Sequence, residues 1–156
     1  MEEYWLEMMS PVGKIIMYGH DRAITRININ GNATRPPGRS KPNALLRRAE
    51  EQLREYFTGI RKDFDLPMTP VGTDFQQQVW KALQRIPFGE TRSYGQVAQT
   101  TGNPAAYRAV GSACRSNPLP IVIPCHRVVG SNGHLTGFGG GLDMKAWLLQ
   151  HEGSDV

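Results

Sequence analysis

The sequence predicts an α/β (α+β) protein in which a small three-stranded antiparallel sheet with one helix precedes a mostly helical second half. Short apolar runs separated by turn residues extend from Tyr4 to Ile29. Two capping-box patterns mark helix starts in the second half. The stretch 66–72 holds two prolines and a glycine and is typical of a linker. We therefore expect two domains, 1–70 and 71–156.

The composition is that of a globular chain. The 156 residues are 39% hydrophobic, and 18 basic against 14 acidic residues give a formal net charge of +4, so disorder is not expected. Two cysteines exclude a disulfide framework and a four-cysteine zinc site, and we expect reduced thiols in the cytoplasm. The acidic N-terminus and the short apolar runs predict neither export nor a membrane span.

The first domain is predicted to contain three strands and a helix. The segments YWLEMM, KIIMYG and AITRINI are separated by SPVG and HDR, which favours an antiparallel meander. Residues 30–42 are rich in Asn, Pro and Gly and predict a loop. Asn43 is a suitable N-cap for a helix that extends to Phe57 and is closed by Gly59.

The second domain is predicted to be built from helices. Capping boxes, in which Ser or Thr is followed three residues later by Gln, begin the helices 73–86 and 93–102. Asn103, with Pro104 at the first helical position, begins a third helix that extends to about Ser116. Two short helices joined by a glycine-containing turn indicate a helix-turn-helix.

The second helix of this pair has two contrasting faces. We expect one face in the core, formed by Ala106, Ala109, Val110 and Ala113. The opposite stripe is Arg108, Gly111, Ser112 and Arg115. Small residues between two arginines let a helix approach a polyanion closely while the guanidinium groups reach phosphates or bases. A helix-turn-helix that does not bind DNA is the alternative.

The charge along this part of the chain also leaves two interpretations open. Five arginines and one acidic residue lie between Arg85 and Arg127, which fits either anion contacts or an ordinary solvated surface.

A cysteine beside a histidine is the clearest chemical signal. The strand-like run PLPIVIP leads directly into Cys125, His126 and Arg127. A thiolate is a nucleophile, and a neighbouring imidazole or guanidinium lowers the pKa of the thiol. In an extended strand Cys125 and His126 point to opposite faces, so activation requires a turn at Pro124 or a bridging water. A buried, inert cysteine is the alternative, and we assign Cys114 to that class. A cysteine hydrolase is a further reading, although its catalytic residues are usually distant in sequence.

The C-terminal region adds a glycine-rich stretch and a helix with an acidic end. Residues 133–141 match no dinucleotide or phosphate motif, so this stretch either brings backbone amides to a ligand or is a flexible connection. The last helix is expected to begin at Asp143 and to end at Glu152. A carboxylate there opposes the helix dipole by about 0.3–1 kcal/mol, which predicts a partner such as His126 or an arginine unless Glu152 is simply solvated.

Two long segments resemble the O6-alkylguanine-DNA alkyltransferases, also called methylated-DNA–protein-cysteine methyltransferases. The first is FQQQVWKALQRIPFGETRSYGQVA, 75–98, and the second extends over 103–153. The second contains Asn-Pro, then Pro-Cys-His-Arg-Val, then Leu-Leu-x-x-Glu-Gly. The first half agrees only in size and in its order of strands and helix. The resemblance implies a ribonuclease-H-like first domain and a DNA-binding, alkyl-transferring second domain.

The resemblance implies direct reversal of damage in double-stranded DNA containing O6-alkylguanine, with O4-alkylthymine as a further candidate substrate. Cys125 would take the alkyl group in a single displacement, and the resulting thioether would end the activity of that molecule. Glu152 and His126 would form the relay that activates Cys125 through a water. Tyr94 would donate a hydrogen bond to the departing guanine.

The resemblance also implies a set of DNA and base contacts. The target nucleotide would flip out of the duplex, and Arg108 would enter the stack in its place while the helix lies in the minor groove. The other implied DNA-binding residues are Ser93, Gly111, Ser112 and Arg115. The implied substrate pocket consists of Asn117, Val128, Phe138, Gly139 and Gly140.

A few positions depart from the family pattern. Phe138 stands where a tyrosine is frequent, Gly139 lacks the side-chain hydroxyl found in some members, and Ser116 stands where a glycine is common. Animal members carry zinc in the first domain, but this half contains no cysteine and only His20, so we predict no metal and no cofactor, and a monomer. The alternative function is a non-enzymatic, alkyltransferase-like lesion-binding sensor, although those relatives lack the reactive cysteine.

Overall fold

A computed structural model describes residues 2–36, 41–133 and 141–154 of the chain. Its contacts divide the chain into two compact units, the first ending at Pro70 and the second beginning at Val71. A three-stranded antiparallel sheet followed by helices confirms the predicted fold class. Each helix in the described ranges falls short of the length and apolar character of a bilayer-spanning segment.

The first unit is an antiparallel meander covered by one helix. The strands are β1, Tyr4–Ser10, β2, Gly13–Gly19, and β3, Ile24–Ile29, in the order β1-β2-β3. Helix α1, Ala44–Phe57, begins as predicted, because the Asn43 side chain accepts a hydrogen bond from the Leu46 N–H at 2.9 Å.

Part of the predicted linker belongs to the sheet region of the first unit. Ile24 donates its N–H to the Pro67 carbonyl at 2.9 Å, and its own carbonyl accepts from the Thr69 N–H at 3.1 Å. These two bonds make a parallel bridge between Ile24 and Met68. The segment that connects the units without hydrogen bonds to the sheet region is therefore shorter than the predicted linker, 66–72.

The second unit contains four helices and a two-stranded parallel sheet among its described residues. The helices are α2, Asp74–Gln84, α3, Tyr94–Thr100, α4, Tyr107–Arg115, and α5, Leu142–His151. The strands β4, Arg92–Ser93, and β5, Val128–Val129, pair side by side. Both predicted capping boxes are present, with Thr73 and Ser93 as the N-caps.

The helix-turn-helix consists of α3 and α4, but its second helix begins later than predicted. Residues 104–106 form a 3-10 turn, and the Asn103 side chain makes no capping hydrogen bond, so the predicted continuous helix from Asn103 is wrong. The buried stripe of α4 is Val110, Ala113 and Cys114. Ala109 is exposed, contrary to the prediction, because it lies about 100° around the helix from Val110.

The apolar run before Cys125 is not a strand. Residues 118–124 form an irregular, buried segment in which Ile121 has a φ of 74° and the Ile123 N–H donates to the Leu119 carbonyl at 2.8 Å. Prolines at 118, 120 and 124 lack the N–H groups that a strand ladder requires. The segment ends in a 3-10 turn, Cys125–Arg127, which leads into β5.

The side chain of Trp80 links α2 to the C-terminal end of α4. Its side chain is buried, and the indole N–H donates to the Ala113 carbonyl at 2.9 Å. Gly72 lies so close that a Cβ atom there would come within 2.4 Å of the Trp80 ring. Val79 and Leu83 of α2, and Ile86 just after its end, are buried as well.

The substitution Trp80→Phe tests this link. It removes the indole N–H, leaves the buried Ala113 carbonyl without that donor, and opens a small cavity. We expect the free energy of unfolding to fall by about 1–3 kcal/mol in urea titrations. A variant as stable as the parent would show that this hydrogen bond does not hold α4.

Candidate active site

Cys125 lies in a tight turn and not in a strand. The Cys125 N–H donates to the Ile123 carbonyl at 2.8 Å, and the Arg127 N–H donates to the Pro124 carbonyl at 3.0 Å. Cys125 and His126 are both buried. Of the two alternatives that the sequence left open, a turn at Pro124 is therefore present, and the objection that an extended strand would separate the two side chains no longer applies.

A buried carboxylate joins the two residues that follow Cys125. Glu152 Oε2 is 2.8 Å from Nε2 of His126, and Glu152 Oε1 accepts from Nε of Arg127 at 2.8 Å. A second Arg127 nitrogen, Nη2, lies 3.1 Å from Glu152 Oε2, which makes the pair bidentate. The partner predicted for Glu152 is therefore present twice, as His126 and as Arg127.

The charges of this group follow from burial and pairing. Burial raises the pKa of Glu152, but hydrogen bonds from His126 and Arg127 outweigh it and bring the pKa to about 2. Burial lowers the pKa of His126 despite the adjacent carboxylate, so the imidazole is neutral near pH 7. A neutral ring that donates from Nε2 to Glu152 keeps Nδ1 as an acceptor. That atom is buried and has no hydrogen-bond partner among the described residues.

Asn117 holds the segment that carries Cys125. Its Nδ2 donates to the Ile123 carbonyl at 2.8 Å, and its Oδ1 accepts from the Leu119 N–H at 2.9 Å. Burial raises the pKa of the Cys125 thiol, and a hydrogen bond from the Asn117 side chain opposes that rise. Asn117 therefore positions the backbone that leads to Cys125 and opposes the effect of burial on the pKa of its thiol.

Lys145 is a buried residue that sequence reasoning did not identify. It lies on α5 with 1% of its surface exposed, and its Nζ is 5.8 Å from the centre of the Tyr94 ring. A lysine at helical spacing from Leu148 and Leu149, both buried, was the available signal.

The structure places the predicted DNA-binding residues at the N-terminus of α3 and along α4. Arg108, Ser112 and Arg115 are exposed. Gly111 lies beneath Tyr94, since a Cβ atom there would be 3.7 Å from the tyrosine ring. The Ser93 hydroxyl accepts from the Gln96 N–H at 3.1 Å and still has its hydrogen to donate.

The predicted substrate pocket is only partly within the described residues. Asn117 is half-buried, and Val128 is fully buried in β5, which pairs with β4 next to Tyr94. Phe138, Gly139 and Gly140 lie outside the described residues.

Two family models match the chain. The model described as 6-O-methylguanine DNA methyltransferase, ribonuclease-like domain, matches residues 4–70. The model described as 6-O-methylguanine DNA methyltransferase, DNA binding domain, matches residues 74–154.

Relatives named methylated-DNA–protein-cysteine methyltransferase match nearly the whole chain. That of Methanosarcina acetivorans is 44% identical and covers 97% of this chain and 99% of its own. The constitutive one of Bacillus subtilis is 44% identical over 96% of this chain and 94% of its own.

Solved structures show the same similarity. The crystal structure of Mycobacterium tuberculosis OGT in complex with DNA has a TM-score of 0.89 at 44% identity, over 96% of this chain and 92% of that one. The O6-methylguanine-DNA methyltransferase of Pyrococcus kodakaraensis shares the fold, with a TM-score of 0.58 at 19% identity over 97% and 99% of the two chains.

The buried ion pair predicts an acid-sensitive fold. The pKa of Glu152 is about 2 against an ordinary 4.5. The pair therefore stabilises the fold fully above about pH 5 and loses that contribution, about 3 kcal/mol, as the pH falls through 2. We expect Glu152→Gln to lower the free energy of unfolding at pH 7 by about 3–5 kcal/mol, since it leaves Arg127 buried without its carboxylate. The substitution should also make the free energy of unfolding less dependent on pH in the acid range, as measured by urea unfolding.

The matched control is Glu90→Gln, which removes an exposed carboxylate 3.0 Å from Arg92. We expect that change to cost less than about 1 kcal/mol. Equal losses in the two variants would contradict the role of burial.

Proposed function

The chain belongs to the 6-O-methylguanine DNA methyltransferase family, and from that premise we propose that it repairs DNA by moving the alkyl group of O6-alkylguanine onto its own Cys125. The observation that carries the proposal is the buried turn in which Cys125 precedes a histidine held by Glu152. Curated relatives at 44% identity carry the corresponding activity in their names.

The reaction begins with the thiol proton. His126 is neutral, and its Nε2–H donates a hydrogen bond to Glu152. Its Nδ1 is therefore free of a proton and accepts that of Cys125 through a bridging water. The Glu152 carboxylate stabilises the imidazolium that forms. The thiolate then attacks the alkyl carbon, a C–S bond forms, and the C–O bond breaks with its electron pair going to the guanine, which finally takes up the proton that the thiol gave to His126.

Tyr94 serves the leaving group in this proposal. The departing guanine develops negative charge, and a hydroxyl that donates to a ring nitrogen stabilises that charge. Tyr94 is the first residue of α3 and follows Ser93, which pairs with Val129, and its ring lies close to Gly111 and 5.8 Å from the Lys145 ammonium. Its position supports this role.

The product explains a stoichiometric reaction. A thioether on Cys125 carries no proton, so it cannot be ionised through His126 to form a new thiolate. We therefore propose one transfer per molecule, by a monomer. A reduced thiol is required at the start, so we place the reaction in the cytoplasm.

DNA is proposed to bind along the exposed face of α4. The target carbon is inaccessible in a duplex, so the nucleotide must flip out, and exposed Arg108 takes its place in the stack. The neighbouring contacts are proposed to come from Ser93, Gly111, Ser112 and Arg115. The flipped base is proposed to meet Asn117, the Val128 carbonyl, Phe138, Gly139 and Gly140.

The first test identifies the modified residue. Intact mass after incubation with duplex DNA carrying one O6-methylguanine should rise by one methylene, on the peptide that contains Cys125. Cys125→Ala should abolish the gain while DNA affinity is retained. Cys114→Ala is the control and should still accept one methyl group. No gain in the parent together with tight lesion binding would instead support the sensor function.

The second test separates flipping from chemistry. Unstacking a nucleotide costs a few kcal/mol, so Arg108→Ala should slow repair of duplex DNA at least about tenfold. Its reaction with free O6-alkylguanine base should change little. Arg85→Ala, which removes an equal charge from an exposed site outside α4, is the control. Equal losses on duplex and free base would refute the flipping role.

A further inference from the structure

An aromatic side chain, Tyr107, lies on the exposed surface at the start of α4. It is the first residue of that helix, and 48% of its surface is exposed. The residues around Tyr107 and Arg108 are small, because 105, 106 and 109 are alanines. The tyrosine ring and the arginine side chain therefore project beyond the rest of this end of the helix. The DNA contacts proposed above include the arginine but not the tyrosine.

The ring of Tyr107 contacts the arginine that is proposed to enter the base stack. The guanidinium carbon of Arg108 lies 5.8 Å from the centre of the ring, which is within the range of a cation–π interaction. Both side chains are exposed. The contact brings a flat apolar ring and a planar cation together at one point of the helix surface.

Tyr107 lies on the edge of α4 that meets Tyr94. Gly111 and Cys114 follow it by four and seven residues, so the three positions share one side of the helix. Cys114 is buried, and a Cβ atom at Gly111 would be 3.7 Å from the Tyr94 ring. Arg108 lies about 100° further around the helix, toward the middle of the exposed face. The tyrosine ring is therefore on the Tyr94 side of the arginine.

This placement indicates which part of the DNA the ring would meet. In the proposed reaction the target nucleotide leaves the duplex toward Tyr94 and Cys125, and Arg108 takes its place. The next nucleotide of the same strand then loses a stacking partner, and it lies on the side from which the target has left. Proteins that enter the minor groove commonly pack apolar side chains on bases that are unstacked in this way.

We propose that the ring of Tyr107 packs on the nucleotide next to the flipped one, in the lesion-bearing strand, so that Tyr107 and Arg108 act as one wedge. The inference rests on the proposed base flipping. The two residues contribute different interactions. The guanidinium group adds a positive charge, whose effect on binding depends on salt, whereas stacking on a base releases no counterions.

The first experiment measures the Kd for a duplex with one O6-methylguanine, in a Cys125→Ala background so that no methyl group is transferred. We expect Tyr107→Ala to raise the Kd about fivefold or more, as for the loss of one aromatic–base stack. Tyr107→Phe keeps the ring and should bind like the parent. Ile60→Ala is the control, because it removes an apolar side chain that is 76% exposed in the first unit, and it should leave the Kd unchanged.

The salt dependence of the Kd separates stacking from charge. We expect Tyr107→Ala to keep the parent slope of log Kd against log salt concentration. Arg115→Ala, which removes a proposed phosphate contact, should reduce that slope by about one. A parent-like Kd in Tyr107→Ala would overturn the proposal. A Phe variant as weak as the Ala variant would also overturn it, because the hydroxyl and not the ring would then matter.

The second experiment locates the contact on the DNA. An abasic analogue replaces the nucleotide on the 5′ or the 3′ side of the lesion, or the same positions of the complementary strand. Two changes that remove one shared contact are not additive. We therefore expect the effect of Tyr107→Ala to disappear with the analogue at one of the two positions in the lesion-bearing strand. An effect that persists at both of these positions would overturn the proposal.

Failure of the proposed function would look different. If the parent protein takes up no methyl group from the lesion, the repair function falls. The Kd values are measured without transfer, so they still report whether the ring of Tyr107 packs on a nucleotide. The two results are therefore separable.

Discussion

The buried carboxylate of Glu152 is the constraint on which the second unit depends. Glu152 follows the last helix, where its charge opposes the helix dipole, and it is removed from water. It is tolerated because Arg127 binds it with two nitrogens and His126 with a third. Arg127 also donates to the Ile86 carbonyl at 2.7 Å, so one ionic group ties the end of α5, the active-site turn and the end of α2.

The same arrangement decides the protonation states at the site. An ionised Glu152 and a neutral His126 leave a single ring nitrogen to receive a proton, and the tautomer is set by the hydrogen bond and not by the pH of the solution. Arg127 neutralises the carboxylate in the resting protein. In the proposed reaction, a proton on His126 adds a positive charge beside a carboxylate that Arg127 already neutralises, and the thiolate formed in the same step balances that charge.

Helix α4 and the turn that carries Cys125 are joined by short connections. Trp80 holds the end of α4 through the Ala113 carbonyl. Two residues after α4, Asn117 binds the backbone of Ile123, two residues before Cys125. Gly111, on the stripe of Arg108, lies against Tyr94. Helix α4 is therefore in direct structural connection with both the segment that carries Cys125 and the ring of Tyr94.

The sequence by itself determined what depends on near neighbours along the chain. The meander, the Asn43 cap and both capping boxes follow from side chains that bind backbone groups within three residues. The Cys125–His126 pair as a chemical site, and a partner for Glu152, could also be predicted from the sequence. Local patterns failed at residues 118–124, where apolar character suggested a strand although prolines remove its hydrogen bonds. Only the tertiary structure decided that His126 and Arg127 share Glu152, 26 and 25 residues away, and that Lys145 is buried beside Tyr94. Those contacts depend on how α5 packs on the active-site turn, and no local spacing encodes that packing.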